Sequence, residues 1–313
     1  MKNIKVVITG GAGFIGSHIV EYWVSKEVEV HVIDNLRSGN IKNIESFKNV
    51  HFHEVSITDR DAVFDILENV TYIHHLAAMI SVPESIQKPL ECVNINIYGL
   101  LNVLDAAVKH EAKKIIHSSS AAVYGENPES PKEISMAPKP KSPYGITKLD
   151  GEYYLQVYEE NYNLKGTALR YFNVFGPRQD PKSQYAAAIP IFISKALKDE
   201  PFIIYGDGEQ TRDFVYVKDV VQANILAITN EKESGVFNVG RGDAISINQI
   251  AKLIISETKS NSKIIYEKAR PGDIKHSLAS IKLSELHLNY LPKYNLVDGL
   301  KDTIKYFVEV FTK

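Results

Sequence analysis

One segment near the amino terminus constrains the fold more than any other. The run Lys5–Thr9 is short, apolar and β-branched, and it stops at Gly10-Gly11-Ala12-Gly13-Phe14-Ile15-Gly16, after which apolar residues recur at helical spacing. A strand that turns on glycines straight into a helix is the opening unit of a doubly wound parallel sheet. Glycines permit the tight turn and let the backbone come close to a bound group, while the helix amino terminus offers unbonded N–H groups and the positive end of its dipole. The alternation continues along the chain. Candidate strands lie at 28–33, 51–55, 72–76, 114–118 and 166–170, and helical stretches lie near 15–25, 60–67, 89–110 and 144–162. The pattern predicts an α/β fold with helices on both faces of a parallel sheet.

After Tyr171 the rhythm breaks. Residues 127–143 hold five of the 13 prolines and must form a loop, and further proline and glycine clusters stand at 176–190 and 270–272. These read as loops over a cleft. The expected division is a Rossmann domain over 1–172, taking back segments near 214–240, and a smaller α/β substrate domain over 173–313.

Composition excludes several classes of function. With 36 basic against 38 acidic residues the net charge is −2, which implies no broad basic face and argues against nucleic-acid binding. Cys92 is the only cysteine, which rules out an intrachain disulfide and cysteine-based zinc spacing and suits a buried, inert thiol. No stretch of 18 apolar residues occurs, and the apolar start is too short for an export signal, so a cytoplasmic setting without membrane contact is expected. His74 and His75 are adjacent and would face opposite sides of a strand, whereas His51 and His53 share one side; no metal-ligand set is expected from them.

The run Val30-His31-Val32-Ile33 ends in Asp34, 18 residues past Gly16. A carboxylate there can accept hydrogen bonds from an adenosine ribose diol and would repel a 2′-phosphate, which points to NAD rather than NADP.

A Tyr-x-x-x-Lys pair sets a phenol and an ammonium on one helix face, where the cation lowers the phenol's pKa and favours a phenolate base. With 17 Tyr in 313 residues the bare motif carries little information, and the chain holds two copies. Tyr22 and Lys26 come late in the first helix, carried away from the end that faces a phosphate. Tyr144 and Lys148 open a helix directly after the proline-rich loop, with Ser118-Ser119-Ser120 at the end of the fifth strand. Ligands of such sheets sit at the carboxyl ends of the strands, so Ser120 and Tyr144 can meet there.

Taken together, the Gly10-x-x-Gly13-x-x-Gly16 loop, Leu76-Ala77-Ala78, Asn96, Ser118-Ser119-Ser120-Ala121 and Tyr144-x-x-x-Lys148 resemble an extended short-chain dehydrogenase/reductase of the NAD-dependent epimerase/dehydratase family. Arg170-Tyr171-Phe172-Asn173, Arg212-Asp213-Phe214 and Arg270-Pro271-Gly272-Asp273 extend the resemblance over nearly the whole chain, and among such enzymes it is most similar to the UDP-sugar 4-epimerases. The resemblance implies that C4 lends its hydride to tightly bound NAD, that a 4-keto sugar turns over in the pocket, and that hydride returns to the opposite face. Tyr144 would take the proton of the 4-hydroxyl, Ser120 would assist at the same oxygen, and Lys148 would hold the nicotinamide ribose and depress the tyrosine pKa. Around the dinucleotide it implies Phe14 and Ile15 at the phosphates, Asn35 and Ser38 beside Asp34, and Ser56 and Ile57 at the adenine. Leu76, Ala77, Ala78, Asn96, Ser118 and Phe172 would line the rest. Family members often carry an acidic residue before the aliphatic one at the adenine; here Ser56 precedes Ile57, and Asp59 follows two further on.

For the substrate the resemblance implies Asn173, Arg212 and Arg270 near the UDP phosphates, Asp273 on the uridine ribose, and Ser81 and Tyr205 as further contacts. Arginine is scarce in this chain, only seven residues, and bidentate arginine contacts suit a diphosphate. Ser277 stands where epimerases restricted to glucose and galactose carry a tyrosine. Together with similar segments at 173–181 and 185–190, this small residue implies room for a 2-acetamido group. The residues Ser120-Ala121-Ala122 replace the Thr-Asp-Glu of sugar 4,6-dehydratases, and Asp34 disfavours an NADPH-dependent 3,5-epimerase/reductase. A UDP-glucuronate 4-epimerase is the enzymatic alternative, and an NAD-sensing binding protein the alternative of another class. Resembling epimerases pair two helices per subunit, which implies a homodimer through 89–110 and 144–162.

Overall fold

The structure, a computed structural model, describes residues 4–181, 188–269 and 275–311. Among these, seven parallel strands make the main sheet. β1 (Lys5–Thr9), β2 (Glu29–Ile33), β3 (Val50–His53), β4 (Tyr72–His75), β5 (Lys114–Ser120) and β6 (Lys165–Tyr171) run in the order β6-β5-β4-β1-β2-β3, and Gly235–Val239 is added outside β6. Chain order therefore reverses on either side of β1, and the crevice at such a reversal is where doubly wound sheets hold ligands.

The central strands are apolar on both faces because both faces are covered. Val6, Ile8, Val30 and Val32 pack on one side with α1 (Phe14–Val24) and the Val217–Thr229 helix. On the other side Val7, Ile33, Ile73 and Ile115 meet the helices Arg60–Ile66, Gly99–Lys109 and Pro143–Tyr162. A separate cluster, built on Phe175, Phe192, Phe202, Phe214, Ile250 and Leu300, forms the core of the carboxyl-terminal part. There the helices Ala188–Ala196, Ile247–Thr258 and Leu296–Phe311 pack with the paired strands Phe202–Tyr205 and Ile264–Glu267.

The six expected strands of the first half occur, each end within two residues of its expected place, and β5 runs on to Ser120. The stretch 89–110 differs from a plain α-helix. It is Pro89–Val93, a π-helical turn over Asn94–Tyr98, and then Gly99–Lys109. The widened turn carries Asn96 into the interior, where it bonds to a neighbouring loop. The proline-rich residues 127–142 form no helix; Lys132 makes an isolated bridge with Ala279 and its carbonyl accepts from Asn238 of the strand Gly235–Val239 at 2.8 Å, and Pro143 is the first residue of the following helix. Of the later clusters, 182–187 and 270–274 lie outside the described residues.

Candidate active site

The glycine loop is a cradle that side chains would fill. Gly10 has φ +72°, and a Cβ on it would stand 2.8 Å from the Ala77 backbone nitrogen; one on Gly16 would stand 2.2 Å from the Gly10 carbonyl oxygen. α1 therefore starts pressed against the end of β1. Its N-cap, Gly13, brings no side chain to the free N–H groups, and no acidic residue sits in the first turn, so the positive end of the helix is left for an anion. Asp34 lies beside it, buried at the end of β2, with Oδ2 accepting from the Ala12 N–H at 3.0 Å and Oδ1 from Leu36 at 2.9 Å. Burial raises its pKa, and the two backbone hydrogen bonds oppose that rise. Each oxygen keeps a lone pair, so the carboxylate can still accept both hydroxyls of a ribose diol. These residues fit NAD: a pyrophosphate over the glycines and an adenosine ribose on Asp34.

The same sheet edge carries the proposed chemistry. Leu76 and Ala77 are held by Thr9, through its carbonyl at 3.0 Å and its hydroxyl at 3.2 Å, and the register of β4 with β5 sets His75 beside His117 just before Ser118. Ser142 caps the Pro143–Tyr162 helix by accepting from the Gly145 N–H at 3.1 Å, and Ser85 accepts from the Tyr144 N–H at 3.2 Å. Tyr144 is thereby placed over the end of β5, with its half-buried phenol hydrogen-bonded to the Ser120 side chain. One turn on, Lys148 is 4 % exposed, and its Nζ donates to the Ser118 carbonyl at 2.7 Å.

The electrostatics correct one expectation. Burial raises the Tyr144 pKa, and the Ser120 hydrogen bond opposes this; Lys148 is not among the groups that lower it. Burial also pulls Lys148 down to about 8, and among the described residues its ammonium has no carboxylate partner. The reason is geometric. The ammonium lies 5.8 Å from the Tyr144 ring centroid and is turned onto the Ser118 carbonyl rather than onto the phenol oxygen.

One residue not singled out from sequence, Glu152, anchors this arrangement, together with Arg170 and Asn96. Glu152, one turn beyond Lys148, is clamped by Arg170 of β6 through bonds of 2.9 and 2.7 Å and accepts from the Ser119 hydroxyl at 2.5 Å. Both partners are 4 % exposed, and the guanidinium lies 4.7 Å from the Tyr124 ring centroid. The clamp ties the Pro143–Tyr162 helix to β5 and β6. Its signal was a carboxylate at helical spacing from Tyr144 and Lys148, on a face that otherwise points inward. Asn96 accepts from the Met79 N–H at 2.7 Å and donates to Thr147 at 2.9 Å and to the Met79 carbonyl at 3.1 Å. Its amide thus braces the loop after β4 against the Pro143–Tyr162 helix.

In the carboxyl-terminal part Asp213 is the organiser. It is fully buried and accepts from the N–H groups of Arg241 at 2.7 Å, Gly242 at 3.0 Å and Ala279 at 3.1 Å. Burial pushes its pKa up to about 6 against those bonds. Its own main chain bonds to Asn173 at 3.1 Å and to Ser277 at 2.8 Å. The strand Thr211–Arg212 pairs in parallel with His276–Ser277, which sets Ser277 directly beside Arg212. Three of the expected substrate contacts, Asn173, Arg212 and Ser277, are therefore brought together through one residue. Tyr205 ends the neighbouring strand Phe202–Tyr205, where its carbonyl accepts from Gln210 at 2.8 Å.

Other expected contacts have local duties. The Ser81 hydroxyl caps the Val82–Gln87 helix at Glu84, and Asp59 caps Arg60–Ile66. Ser56 bonds Thr58 at 2.8 Å, and Ile57 is buried against Gly99. Asn35 and Ser38 are exposed in the loop after β2, and the Phe172 ring packs beside Tyr124. Arg270 and Asp273 lie outside the described residues.

The sequence model of the NAD dependent epimerase/dehydratase family matches residues 6–240. A solved structure described as a UDP-N-acetylglucosamine 4-epimerase from Methanobrevibacter ruminantium M1, in complex with UDP-N-acetylmuramic acid, is 43% identical with a TM-score of 0.95, covering 99% of this chain and 100% of that one. A UDP-glucose 4-epimerase from Thermotoga maritima, solved with UDP-glucose, is 40% identical with a TM-score of 0.94 and covers 98% and 100%. A UDP-N-acetyl-alpha-D-glucosaminuronate decarboxylase of Bacillus cytotoxicus is 35% identical over 98% of both chains.

Proposed function

The chain belongs to the NAD dependent epimerase/dehydratase family, and from that premise we propose that it inverts C4 of UDP-linked hexoses, 2-acetamido sugars included. The expected pairs are UDP-GlcNAc with UDP-GalNAc and UDP-Glc with UDP-Gal. NAD, when bound, supplies the acceptor and the donor of the C4 hydride. The chain's own residues bind, orient and move the proton. Tyr144 takes it from the 4-hydroxyl and returns it after the sugar has turned, with the Ser120 hydroxyl donating to the phenolate oxygen. Lys148, anchored on the Ser118 carbonyl, keeps two N–H donors for the ribose edge of the cofactor. Arg212 and Asn173 serve the diphosphate, with Arg270 and Asp273 completing the nucleotide site as the family pattern implies.

The breadth of the pocket rests on one observation, that Ser277 stands in register beside Arg212. A small side chain next to the phosphate cation leaves space that a tyrosine would occupy. Ser277→Tyr should cut turnover of the acetamido sugars by about 10- to 100-fold while sparing UDP-Glc; equal loss on both would refute the gate. Separate incubation with UDP-GlcNAc, UDP-Glc and UDP-GlcA, with the epimers resolved and NAD showing no net consumption, tests the whole reading. Turnover confined to the glucuronate, or carbon dioxide release from a uronate, would overturn it.

The reading includes a homodimer in the cytoplasm. Leu90 is 85 % exposed, Tyr153 55 % and Ile146 47 %, and Ile146, Tyr153 and Val157 share one face of the catalytic helix. A second copy of this face would cover them, and sedimentation should give twice the chain mass.

A further inference from the structure

The outer edge of the main sheet gathers three imidazoles and a carboxylate on one face. β3 is the edge strand, and parallel pairing sets His31 beside His51 and Ile33 beside His53. With a period of two, Glu29 and His31 of β2 share their face with His51 and His53 of β3. The side chains meet there. His31 Nε2 lies 2.9 Å from Glu29 Oε1, His31 Nδ1 lies 3.0 Å from His53 Nε2, and the His31 and His51 rings stack at 4.5 Å. One ligand atom each from Glu29, His31 and His51 falls within 4.8 Å of the other two.

We propose that Glu29, His31 and His51 form a binding site for a borderline divalent cation, zinc above all, with water completing the coordination. The donor set carries the choice of metal: two imidazoles and a carboxylate suit zinc or cobalt, whereas calcium and magnesium call for an all-oxygen shell. Donor atoms about 2.1 Å from a tetrahedral ion stand roughly 3.4 Å apart. The Glu29–His31 contact therefore opens by a few tenths of an ångström, and the exposed Glu29 and His51 side chains are free to make the adjustment. His31 is the half-buried anchor. When its Nε2 binds the ion, its Nδ1–H donates to His53 Nε2, a ready-made outer partner that fixes tautomer and ring orientation. A cavity of about 300 Å³ adjoins the cluster, lined by Lys5, Glu29, Asp65, Glu68 and Asn69, so three carboxylates face one ammonium along an aqueous approach. The His53 carbonyl accepts the Asp34 N–H at 3.2 Å, which connects the cation site to the strand end that carries the ribose carboxylate.

The test uses the whole protein after removal of metal by a chelator. Titration with zinc chloride by calorimetry should show one saturable equivalent, and cobalt chloride should develop the visible absorption of a tetrahedral nitrogen–oxygen site. Zinc should also raise the melting midpoint, because an ion that binds only the folded chain stabilises it. His51→Ala and Glu29→Gln should each abolish the cobalt spectrum, and His53→Ala should weaken zinc by about 10-fold. His110→Ala, outside the cluster, should leave both unchanged. Absence of saturable binding, or wild-type binding in the His51→Ala variant, would overturn the assignment. His51 and Glu29 are both exposed, so these variants remain informative even if His31→Ala fails to fold.

Discussion

The chain contains two tyrosine–lysine pairs with nearly the same internal geometry and different surroundings. Lys26 Nζ lies 5.4 Å from the Tyr22 ring centroid, and Lys148 Nζ lies 5.8 Å from that of Tyr144. Lys26 is exposed at the far end of α1, and Tyr22 packs against Trp23. Lys148 is buried, fixed to the Ser118 carbonyl, and followed one turn later by the Glu152–Arg170 clamp. The position one turn after Lys26 is Val30, already inside β2. A four-residue spacing therefore sets a phenol near an ammonium in both places, within a helix for Tyr144 and Lys148 but across the turn that follows the end of α1 at Val24 for Tyr22 and Lys26, which the sequence had placed in the helix; the sheet edge, the hydroxyl of Ser120 and the buried clamp distinguish one of them.

The sharpest way to break this comparison is to remove each phenol. Tyr144→Phe should lower the epimerisation rate by about 10²- to 10⁴-fold, and Tyr22→Phe should leave it unchanged. A comparable loss in both would show that placement at the sheet edge is not decisive. Glu152→Gln comes next. It leaves the Arg170 charge buried without its counter-ion, and urea unfolding should show a loss of about 3–5 kcal/mol. Replacing Arg170 by Met in the same chain should recover part of it. The smaller effect has the opposite sign. In NAD-free protein Lys148→Met should raise stability at neutral pH by up to roughly 3 kcal/mol, because a lone ammonium is held in the interior with its pKa lowered to about 8 from 10.5. The penalty is fully present below pH 8 and is relieved as pH rises from 8 towards the unfolded value, so the advantage of Met should shrink over that window. Lys26→Met should change stability by no more than about 0.5 kcal/mol at any pH.

The first half of the fold was legible because its signals are local. Each strand is a short β-branched run, the glycine loop announces its own turn, and Asp34 ends its strand in plain view. The meeting of Ser120 with Tyr144 was legible because each stands at the end of a recognisable element. The direction of the tyrosine's pKa was not, since it depends on where the Lys148 ammonium turns once it is buried. Asp213 was noticed only as the neighbour of Arg212, although its carboxylate gathers three backbone N–H groups and its own main chain bonds to Asn173 and Ser277. No residue spacing encodes that convergence. The histidines show the same limit: read along one strand, His51 and His53 make no ligand set, and His31 and Glu29 join them only across the pairing of β2 with β3.

By itself the sequence determined the alternation of strand and helix, the glycine turn between β1 and α1, and the spacing that sets a phenol near an ammonium. Those are properties of neighbours along the chain, where periodicity, glycine and helical spacing act within a few residues. Only the tertiary structure decided which tyrosine–lysine pair is buried, which carboxylate braces it, and what stands beside Arg212 and His31. Those outcomes depend on strand order and register between segments far apart in sequence, and a shift of one residue in register would turn every such side chain to the opposite face.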